Sequence, residues 1–501
     1  MRPFTLGSME RCAHPAREGL LQHRLRLGAG GSRDMVLHEE IAMALALNPT
    51  IFRAYDIRGV VDVDLDEPIY TRLGQAVGTI FAGHGRRTIA VGRDARLSSP
   101  RFQTALIAGL RSTGMDVVDI GQVPTPVMYF AVEQLGLDAG AIVSASHNPP
   151  EYNGLKLRRA HPAVGSEPLS SEDVQEVGRV ALAGSFASGS GAGSTADVSD
   201  AYVASVCRLL PFAGRPPRVV LDGCNGVGGP IGLRTYQALG LDVVPLFIEP
   251  DGTFPNHHPD PLKPENLQHL IAAVRAHGAD IGIALDGDGD RLGVVDGQGQ
   301  IIFADRYLIA LATYLLGQRK GHVVFDVKCS AVLPRAVAAL GGTPVMWKTG
   351  YSSISTKMRE LGAVLGGELS GHTFATYPGH YFDDGTFAGA HLLYALSQLG
   401  TTLRDALAPY PDLPSLDEGR VHFAEDQKFR VIDYVRERFV ASYPVFDIDG
   451  VRVDFGDGWG LVRASNTEPA ITTRFEADTM ERAREIRNLM MSAVEEFRSR
   501  I

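Results

Sequence analysis

The sequence predicts an α/β protein: three related α/β domains followed by a smaller α+β domain at the C-terminus. Three observations lead there. Short β-branched strands alternate with helical patterns as far as about residue 411, the signature of α/β units with largely parallel sheets. One succession recurs three times: strand, helix, strand, then a third strand that runs into a turn rich in Gly and polar residues. Beyond residue 411 that pattern stops. The copies lie too far apart for a solenoid, whose period is roughly 20 to 50 residues, so each copy is a domain.

At roughly 100 to 200 residues per domain, the 501 residues predict three to five domains with separate cores. Residues 1–34 carry six Arg against Glu10, Glu18 and Asp34, with several Gly and Ser and no sustained hydrophobic period. Such a stretch has little to bury, so residues 1–48 are expected to form a disordered leader outside the fold. The acids argue against a transit peptide, and Met35 offers an alternative start. A short amphipathic helix fits residues 39–47.

The first domain, 49–190, takes its strands from Thr88-Ile-Ala-Val-Gly-Arg-Asp94, Asp116-Val-Val-Asp-Ile120 and Gly140-Ala-Ile-Val143, with a helix over 102–110. A stretch of Ala, Gly, Ser and Thr at 183–196 has the composition of a flexible connector. In the second domain, 191–298, the matching strands are Arg218-Val-Val-Leu-Asp222, Leu241-Asp-Val-Val-Pro-Leu246 and Asp280-Ile-Gly-Ile-Ala-Leu285, around a helix at 233–239. The third, 299–411, offers His322-Val-Val-Phe-Asp326, Thr343-Pro-Val-Met-Trp347 and Ala363-Val-Leu365, with a helix over 331–340. The fourth, 412–501, has a helix over 430–439, strands near 450–455 and 471–475, and a closing helix. There Met480, Ala483, Ile486, Met490, Val494 and Phe497 form an apolar stripe.

Composition excludes several classes of function. The 48 basic against 58 acidic residues give a formal charge of −10, which disfavours a nucleic-acid partner. The longest mostly apolar run, 307–316, is about half the roughly 20 residues that a membrane span needs. Cys12, Cys207, Cys224 and Cys329 are scattered, with no CxxC pair and no secretory segment. This predicts no disulfide framework or zinc site and a cytoplasmic protein.

The chemistry gathers where the third strands end. The first copy delivers Ser144-Ala-Ser-His-Asn-Pro149, the second Asp286-Gly-Asp-Gly-Asp-Arg291, and the third Gly366-Gly-Glu-Leu-Ser-Gly-His372. Ligands of open α/β sheets sit beyond the carboxyl ends of strands, so the three loops are expected to converge on one cleft. Asp286, Asp288 and Asp290 can turn three carboxylates toward one hard cation, and Mg²⁺ suits such an oxygen site near phosphate. Calcium fits less well, since the sixth and twelfth loop positions are Arg291 and Gly297 where an EF-hand needs Gly and Glu. A purely structural turn would leave the like charges uncompensated. Ser146 is a candidate nucleophile or phosphoryl carrier, or only a turn former. No Gly-x-Ser-x-Gly elbow surrounds it, so His147 does not make a hydrolase triad. Glu368, Ser370 and His372 are spaced like a carbohydrate-binding loop. Arg463, Ser465, Asn466, Thr467 and Arg474 combine two guanidinium groups with hydroxyl and amide donors suited to a phosphate.

Taken in order, these loops resemble the α-D-phosphohexomutases, the bacterial phosphomannomutase/phosphoglucomutase group in particular. The resemblance extends from about Ile51 to the C-terminus and includes Phe52-Arg-Ala-Tyr-Asp-Ile-Arg-Gly59, Asn153-Gly-Leu-Lys156, Phe254-Pro-Asn-His-His-Pro259, Asp326-Val-Lys-Cys329 and Trp347-Lys-Thr-Gly350. It implies a four-domain, heart-shaped enzyme that moves a phosphoryl group between C1 and C6 of hexose phosphates. By that resemblance Ser146 is the phosphoserine and helps to hold Mg²⁺ with the three aspartates. Arg58, Lys156, Arg291 and Lys328 surround the transferring group, with Lys156 or His372 moving the proton. Glu368 and Ser370 hold sugar hydroxyls, and the Arg463 loop holds the phosphate that does not react.

The resemblance further implies glucose 1,6-bisphosphate as activator, and a monomer or weak dimer. A metal-dependent sugar phosphatase would leave the Ser146 loop unexplained, and a sugar-phosphate sensor would not need serine and acidic triad together. The glucosamine-phosphate branch typically carries glutamine where Leu369 stands, which favours mannose and glucose phosphates. The dual-specificity enzymes usually carry histidine where Tyr351 stands. Tyr351 is expected at the cleft mouth between the third and fourth domains, tuning the choice of hexose; the alternative is that it only packs.

Overall fold

Four sheets organise the chain, and they fall in the predicted order. The computed structural model describes residues 47–501 apart from 215, 376, 378, 379 and 466–468. The leader up to residue 46, almost all of the helix expected at 39–47, and the site candidates Asn466 and Thr467 lie outside the described residues. Asn48 to Ile501 form one unit.

The first sheet holds β1 (Ile57–Val60), β2 (Thr88–Arg93), β3 (Asp116–Gln122), β4 (Ala139–Val143), β5 (Tyr152–His161), β6 (Gly165–Pro168) and β7 (Gly193–Thr195), in the order β1-β5-β4-β2-β3-β7 with β6 beside β5. The second holds β8 (Arg218–Asp222), β9 (Asp242–Leu246), β10 (Ile281–Leu285), β11 (Leu292–Asp296) and β12 (Ile301–Ile302), ordered β12-β11-β10-β8-β9. In the third, β13 (His322–Asp326), β14 (Thr343–Trp347), β15 (Leu365–Gly367) and β16 (Thr373–Ala375) follow the order β14-β13-β15-β16.

One topology underlies all three. The first strand of each copy (β2, β8, β13) lies between the second and third, both parallel to it. The third (β4, β10, β15) then turns back into an antiparallel fourth (β5, β11, β16). Strands β4 and β10 are buried at every position, which is why they read as uninterrupted apolar runs. The sheets are therefore mixed rather than simply parallel, and each chemistry-bearing loop is the tight connection between strands three and four. The return strands escaped the sequence pattern because β5 mixes Asn, Lys and Arg with Leu, and β16 has only three residues.

Three expectations need correction. The stretch at 183–196 is not a flexible connector. Gly193–Thr195 pairs in parallel with β3, and the amides of Gly189 and Gly191 donate to the carbonyls of Ser112 and Arg111. Glycine permits this docking: a Cβ on Gly191 would lie 1.8 Å from the Met115 carbonyl oxygen. Second, β7 belongs to the first sheet and β12 to the second, so the boundaries expected at 190 and 298 fall short of the sheets' edges. Third, the cores of the first three units are not fully separate, although smaller clusters stay within the second unit, around Leu270 and Val274, and within the third, around Ile354 and Met358. A single hydrophobic cluster joins Val127 and Phe130 to Tyr202, Val219 and Leu285, and on to Tyr307, Phe325 and Phe387.

The fourth unit is α+β as expected. An antiparallel sheet of β17 (Ser415–His422), β18 (Val445–Phe446), β19 (Val451–Asp454), β20 (Gly458–Ala464) and β21 (Ala470–Ala477) has the order β17-β21-β20-β19-β18. Helices Lys428–Phe439 and Met480–Arg498 cover one face through Val431, Val435, Ile486 and Met490. On the other face Trp459 and Leu461 pack on Val327 of the third unit. No helix among the described residues is long and apolar enough to cross a membrane, and Cys207, Cys224 and Cys329 are free.

If 183–196 is docked, Gly191→Val should lower stability by about 1–3 kcal/mol, the usual cost of forcing added atoms into packed structure, seen as a lower denaturant midpoint. A change within about 0.5 kcal/mol, as for an open surface site, would show that this stretch is loose.

Candidate active site

The shared topology sets the Ser146, Asp286 and Glu368 loops around one cleft of about 290 Å³, closed on its far side by the sheet of the fourth unit. Arg53, Arg58, His147, Lys156, Arg291, Lys328, Tyr351, Glu368, Ser370, His372, Arg420, Arg463 and Ser465 line it. Against seven Lys and Arg side chains stand Asp56, Asp260, Glu368 and Glu418, a balance that favours anions.

Ser146 is buried and has φ +50°, a left-handed conformation that costs a non-glycine residue energy. Neighbours from three segments hold it there. Its amide donates to Ser144 Oγ at 2.9 Å, its hydroxyl donates to Asp286 Oδ2 at 2.7 Å, and Arg96 grips the loop from beneath. The Arg96 guanidinium donates to the carbonyls of Ser146 (2.7 Å), Asn148 (2.6 Å), Pro149 (2.6 Å) and Tyr152 (3.1 Å), and to Asp94 at 3.0 Å. Arg58 adds the Ala145 carbonyl at 3.2 Å and Asn148 Oδ1 at 2.5 Å, while its Nε is held by Asp56 at 2.9 Å. A Cβ on Gly287 would lie 2.6 Å from the Ser146 carbonyl oxygen, so glycine is what lets the acidic loop approach so closely.

Asp286, Asp288 and Asp290 are fully buried, and one carboxylate oxygen from each lies within 4.8 Å of the other two. Lys156 Nζ bridges Asp288 at 2.6 Å and Asp290 at 2.5 Å, and Thr125 Oγ1 donates to Asp288 at 2.6 Å. Burial and then repulsion from Asp288 and Asp290 push the Asp286 carboxyl well above its usual range. Asp290 is raised by burial and by Asp288. Burial alone would raise Asp288 too, but Lys156 and the bonds from Lys156 and Thr125 hold it below the usual range. Asp288 Oδ1 and Asp290 Oδ1 are buried with no hydrogen-bond partner among the described residues. An all-oxygen set with open lone pairs fits a hard divalent cation.

His372 lies between charges. Its Nδ1 pairs with Asp383 at 2.8 Å and faces Asp290 at 3.7 Å, and Arg291 Nε donates to its Nε2 at 3.0 Å. Burial disfavours the cation, but Asp290 and Asp383 outweigh it and raise the pKa. An Nε2 that accepts from Arg291 carries no proton, so this arrangement has neutral His372 with its proton on Nδ1 toward Asp383. His147 is half-buried, and desolvation, then the charges of Arg291, Arg58, His372 and Lys156, push its pKa well below the usual histidine range. Glu368 accepts from the Gly350 amide at 2.8 Å and from Ser370 Oγ at 2.7 Å. Lys328 stands 3.7 Å from Asp326.

The matches to known families agree with this geometry. Four models of "Phosphoglucomutase/phosphomannomutase" match in order: alpha/beta/alpha domain I at residues 49–176, domain II at 200–299, domain III at 303–413 and the C-terminal domain at 418–493. The chain belongs to the phosphoglucomutase/phosphomannomutase family. A phosphomannomutase/phosphoglucomutase of Pseudomonas aeruginosa is 44% identical over 450 residues, 89% of this chain and 96% of that protein. A phosphoglucomutase of Neisseria gonorrhoeae is 40% identical over 451 residues, with 89% and 96% covered. The crystal structure of a phosphoglucomutase/phosphomannomutase family protein from Burkholderia thailandensis superposes with a TM-score of 0.83 at 40% identity, covering 90% of this chain and 98% of that one.

Two sequence candidates in this family member stand elsewhere than expected. Arg474 does not line the cleft. It points into the seam between the third and fourth units, 3.9 Å from Asp305, because along β21 it lies one alternation beyond the cleft-facing Thr472. Tyr351 is buried between the first and third units, not at a mouth between the third and fourth. Its hydroxyl donates to the Tyr55 carbonyl at 3.2 Å, and its ring lies 5.8 Å from Lys156 Nζ and 5.8 Å from the His372 ring.

Arg96, Asp383 and Asp449, which pairs with Arg463 at 3.1 Å, were missed. For Arg96 a signal existed: Asp94-Ala-Arg96 and Asp326-Val-Lys328 end the first strand of their copies in the same way. Removing one partner of a buried, hydrogen-bonded charge costs about 3–5 kcal/mol. Arg96→Ala should lose that much in guanidinium unfolding, and a loss under about 1 kcal/mol would mean the loop holds itself.

Proposed function

We propose that this chain is a hexose-phosphate mutase that interconverts mannose 1-phosphate with mannose 6-phosphate and glucose 1-phosphate with glucose 6-phosphate. The observation that carries the reading is the 2.7 Å contact between the Ser146 hydroxyl and Asp286, with Arg58, Lys156 and Arg291 around the same point of the cleft. Phosphoryl transfer is catalysed by positioning and by neutralising charge on the moving group, and those are the tasks this arrangement suits.

In this reading Ser146 carries the phosphoryl group and gives it to O6 of a hexose 1-phosphate. The resulting 1,6-bisphosphate turns end over end, and its 1-phosphoryl group returns to Ser146. Asp286, Asp288 and Asp290 would hold Mg²⁺, which supplies charge neutralisation at the phosphoryl oxygens. Asp288 and Asp290 raise the pKa of Lys156, so Lys156 serves as a fixed cation. Proton acceptance from the sugar hydroxyl then falls to His372, oriented by Asp383, once Arg291 leaves its Nε2 for the phosphoryl group. Glu368 and Ser370 take sugar hydroxyls, Lys328 joins the cations around the transferring group, and the Arg463 loop, with Ser465, Asn466 and Thr467, holds the second phosphate. Leu369, where the glucosamine-phosphate branch typically has glutamine, favours mannose and glucose phosphates. The reading includes glucose 1,6-bisphosphate as activator, a cytoplasmic location, and a monomer or weak dimer with no nucleic-acid or membrane partner.

Ser146→Ala should lose one phosphate in intact mass together with nearly all turnover of glucose 1-phosphate; a variant as active as wild type would remove Ser146 from the mechanism. A second expectation concerns pH. Asp286 binds its proton more tightly folded than unfolded, so the metal-free fold loses stability as pH rises through the raised value. Mg²⁺ must displace that proton, so its stabilising effect should grow with pH. The rise in melting temperature on adding Mg²⁺ should be larger above neutrality than at mildly acid pH, and an equal rise at both would contradict the site.

A further inference from the structure

The fourth unit's wall of the cleft holds a second guanidinium that the sequence reading did not single out. On the central strands of that sheet, Thr472 of β21 is paired on one side with Arg463 of β20 and on the other with Arg420 of β17. Directly opposed residues of neighbouring strands share a face, with side chains roughly 4.5–5.5 Å apart. Arg420, Thr472 and Arg463 therefore form one row across three strands, and all three line the cleft. A phosphate over Thr472 would have a guanidinium on each side and a hydroxyl beneath.

Charge arithmetic shows why a second guanidinium matters. Arg463 is already shared: its Nη2 is 3.1 Å from Asp449 Oδ2, the same oxygen that accepts the Thr349 amide of the third unit at 2.9 Å. Glu418 adds another carboxylate to the same wall of the cleft. Arg463 alone would face a phosphate dianion with two acids beside it. Arg420 puts a second guanidinium on the same wall, and a guanidinium fork can grip two phosphate oxygens at once.

We infer that Arg420 is a binding residue for the phosphate that is not being transferred, acting with Arg463 across Thr472. This rests on the mutase reading. It replaces Arg474, which lies two residues beyond Thr472 on the same face and meets Asp305 at the seam, as the second guanidinium of that phosphate site. A grip on the remote phosphate is made equally in ground state and transition state, so its loss raises KM more than it lowers kcat.

The test is steady-state kinetics of the full chain on glucose 1-phosphate with Mg²⁺, for wild type, Arg420→Ala, Arg420→Lys and Arg53→Ala, the last a cleft-lining arginine of the first unit. Arg420→Ala should raise KM about tenfold to a hundredfold, the range for one charge-assisted hydrogen-bonded contact, with kcat within about threefold. Arg420→Lys should fall between. An unchanged KM in Arg420→Ala, or a KM increase confined to Arg53→Ala, overturns the assignment while the mutase reading stands. A wild type that turns over neither glucose 1-phosphate nor mannose 1-phosphate overturns both.

Discussion

Three carboxylates buried on one turn cannot stand without positive charge beside them, and much of the site is arranged around that requirement. Lys156 bridges two of them from the first unit, Ser144 and Thr125 donate to Asp288 from the same unit, and Ser146 donates to Asp286. The second unit's acidic turn is thus clasped by the first unit's polar groups. His372 of the third unit closes the ring from the Asp290 side. Because each partner is itself buried and bonded, no member can move far without leaving a charge unpaired. The result is a fixed electrostatic frame of the kind that phosphoryl transfer needs.

Repetition of one topology makes this frame possible. A strand that ends between two parallel neighbours and turns straight back presents its loop at the same edge in every copy. Three copies aimed inward deliver hydroxyl, carboxylates and sugar-facing groups from separate positions in the chain. The shared core running from Val127 to Phe387 fixes their relative placement. The fourth unit is joined differently, through Trp459 and Leu461 on Val327 and through Asp449 on the Thr349 amide. Arg452, which donates to the carbonyls of Val327 and Cys329, and Glu476, which accepts the Ala331 amide, add polar bonds across the same seam.

Much of this was legible in the sequence because it lies in contiguous signals. The three parallel strands of each copy, the closing helix and the loops at Ser146, Asp286 and Glu368 all show in local pattern. What stayed hidden depends on pairing between distant segments. The stretch 183–196 has the composition of a linker, yet the missing side chain of Gly191, against the Met115 carbonyl, is what lets it dock and Gly193–Thr195 pair with β3. Arg96 and Asp383 look like an ordinary loop arginine and one of two acids before a helix; only the folded chain brings them under Ser146 and beside His372. Arg474 and Arg420 illustrate position on a shared face: Arg420 stands directly opposite the cleft-lining Thr472, whereas Arg474, two residues beyond Thr472 on the same face, meets Asp305 at the seam.

The account stands or falls on Ser146 as a carrier that hands over one phosphoryl group and takes back another. The most direct measurement is a single turnover of phosphorylated enzyme with glucose 1-phosphate labelled in its phosphorus, followed by peptide mapping of the protein and analysis of the product. The account predicts unlabelled phosphate on the C6 of the first product and label on the peptide that contains Ser146. Label that stays on the sugar and moves directly from C1 to C6, with none on Ser146, would contradict it.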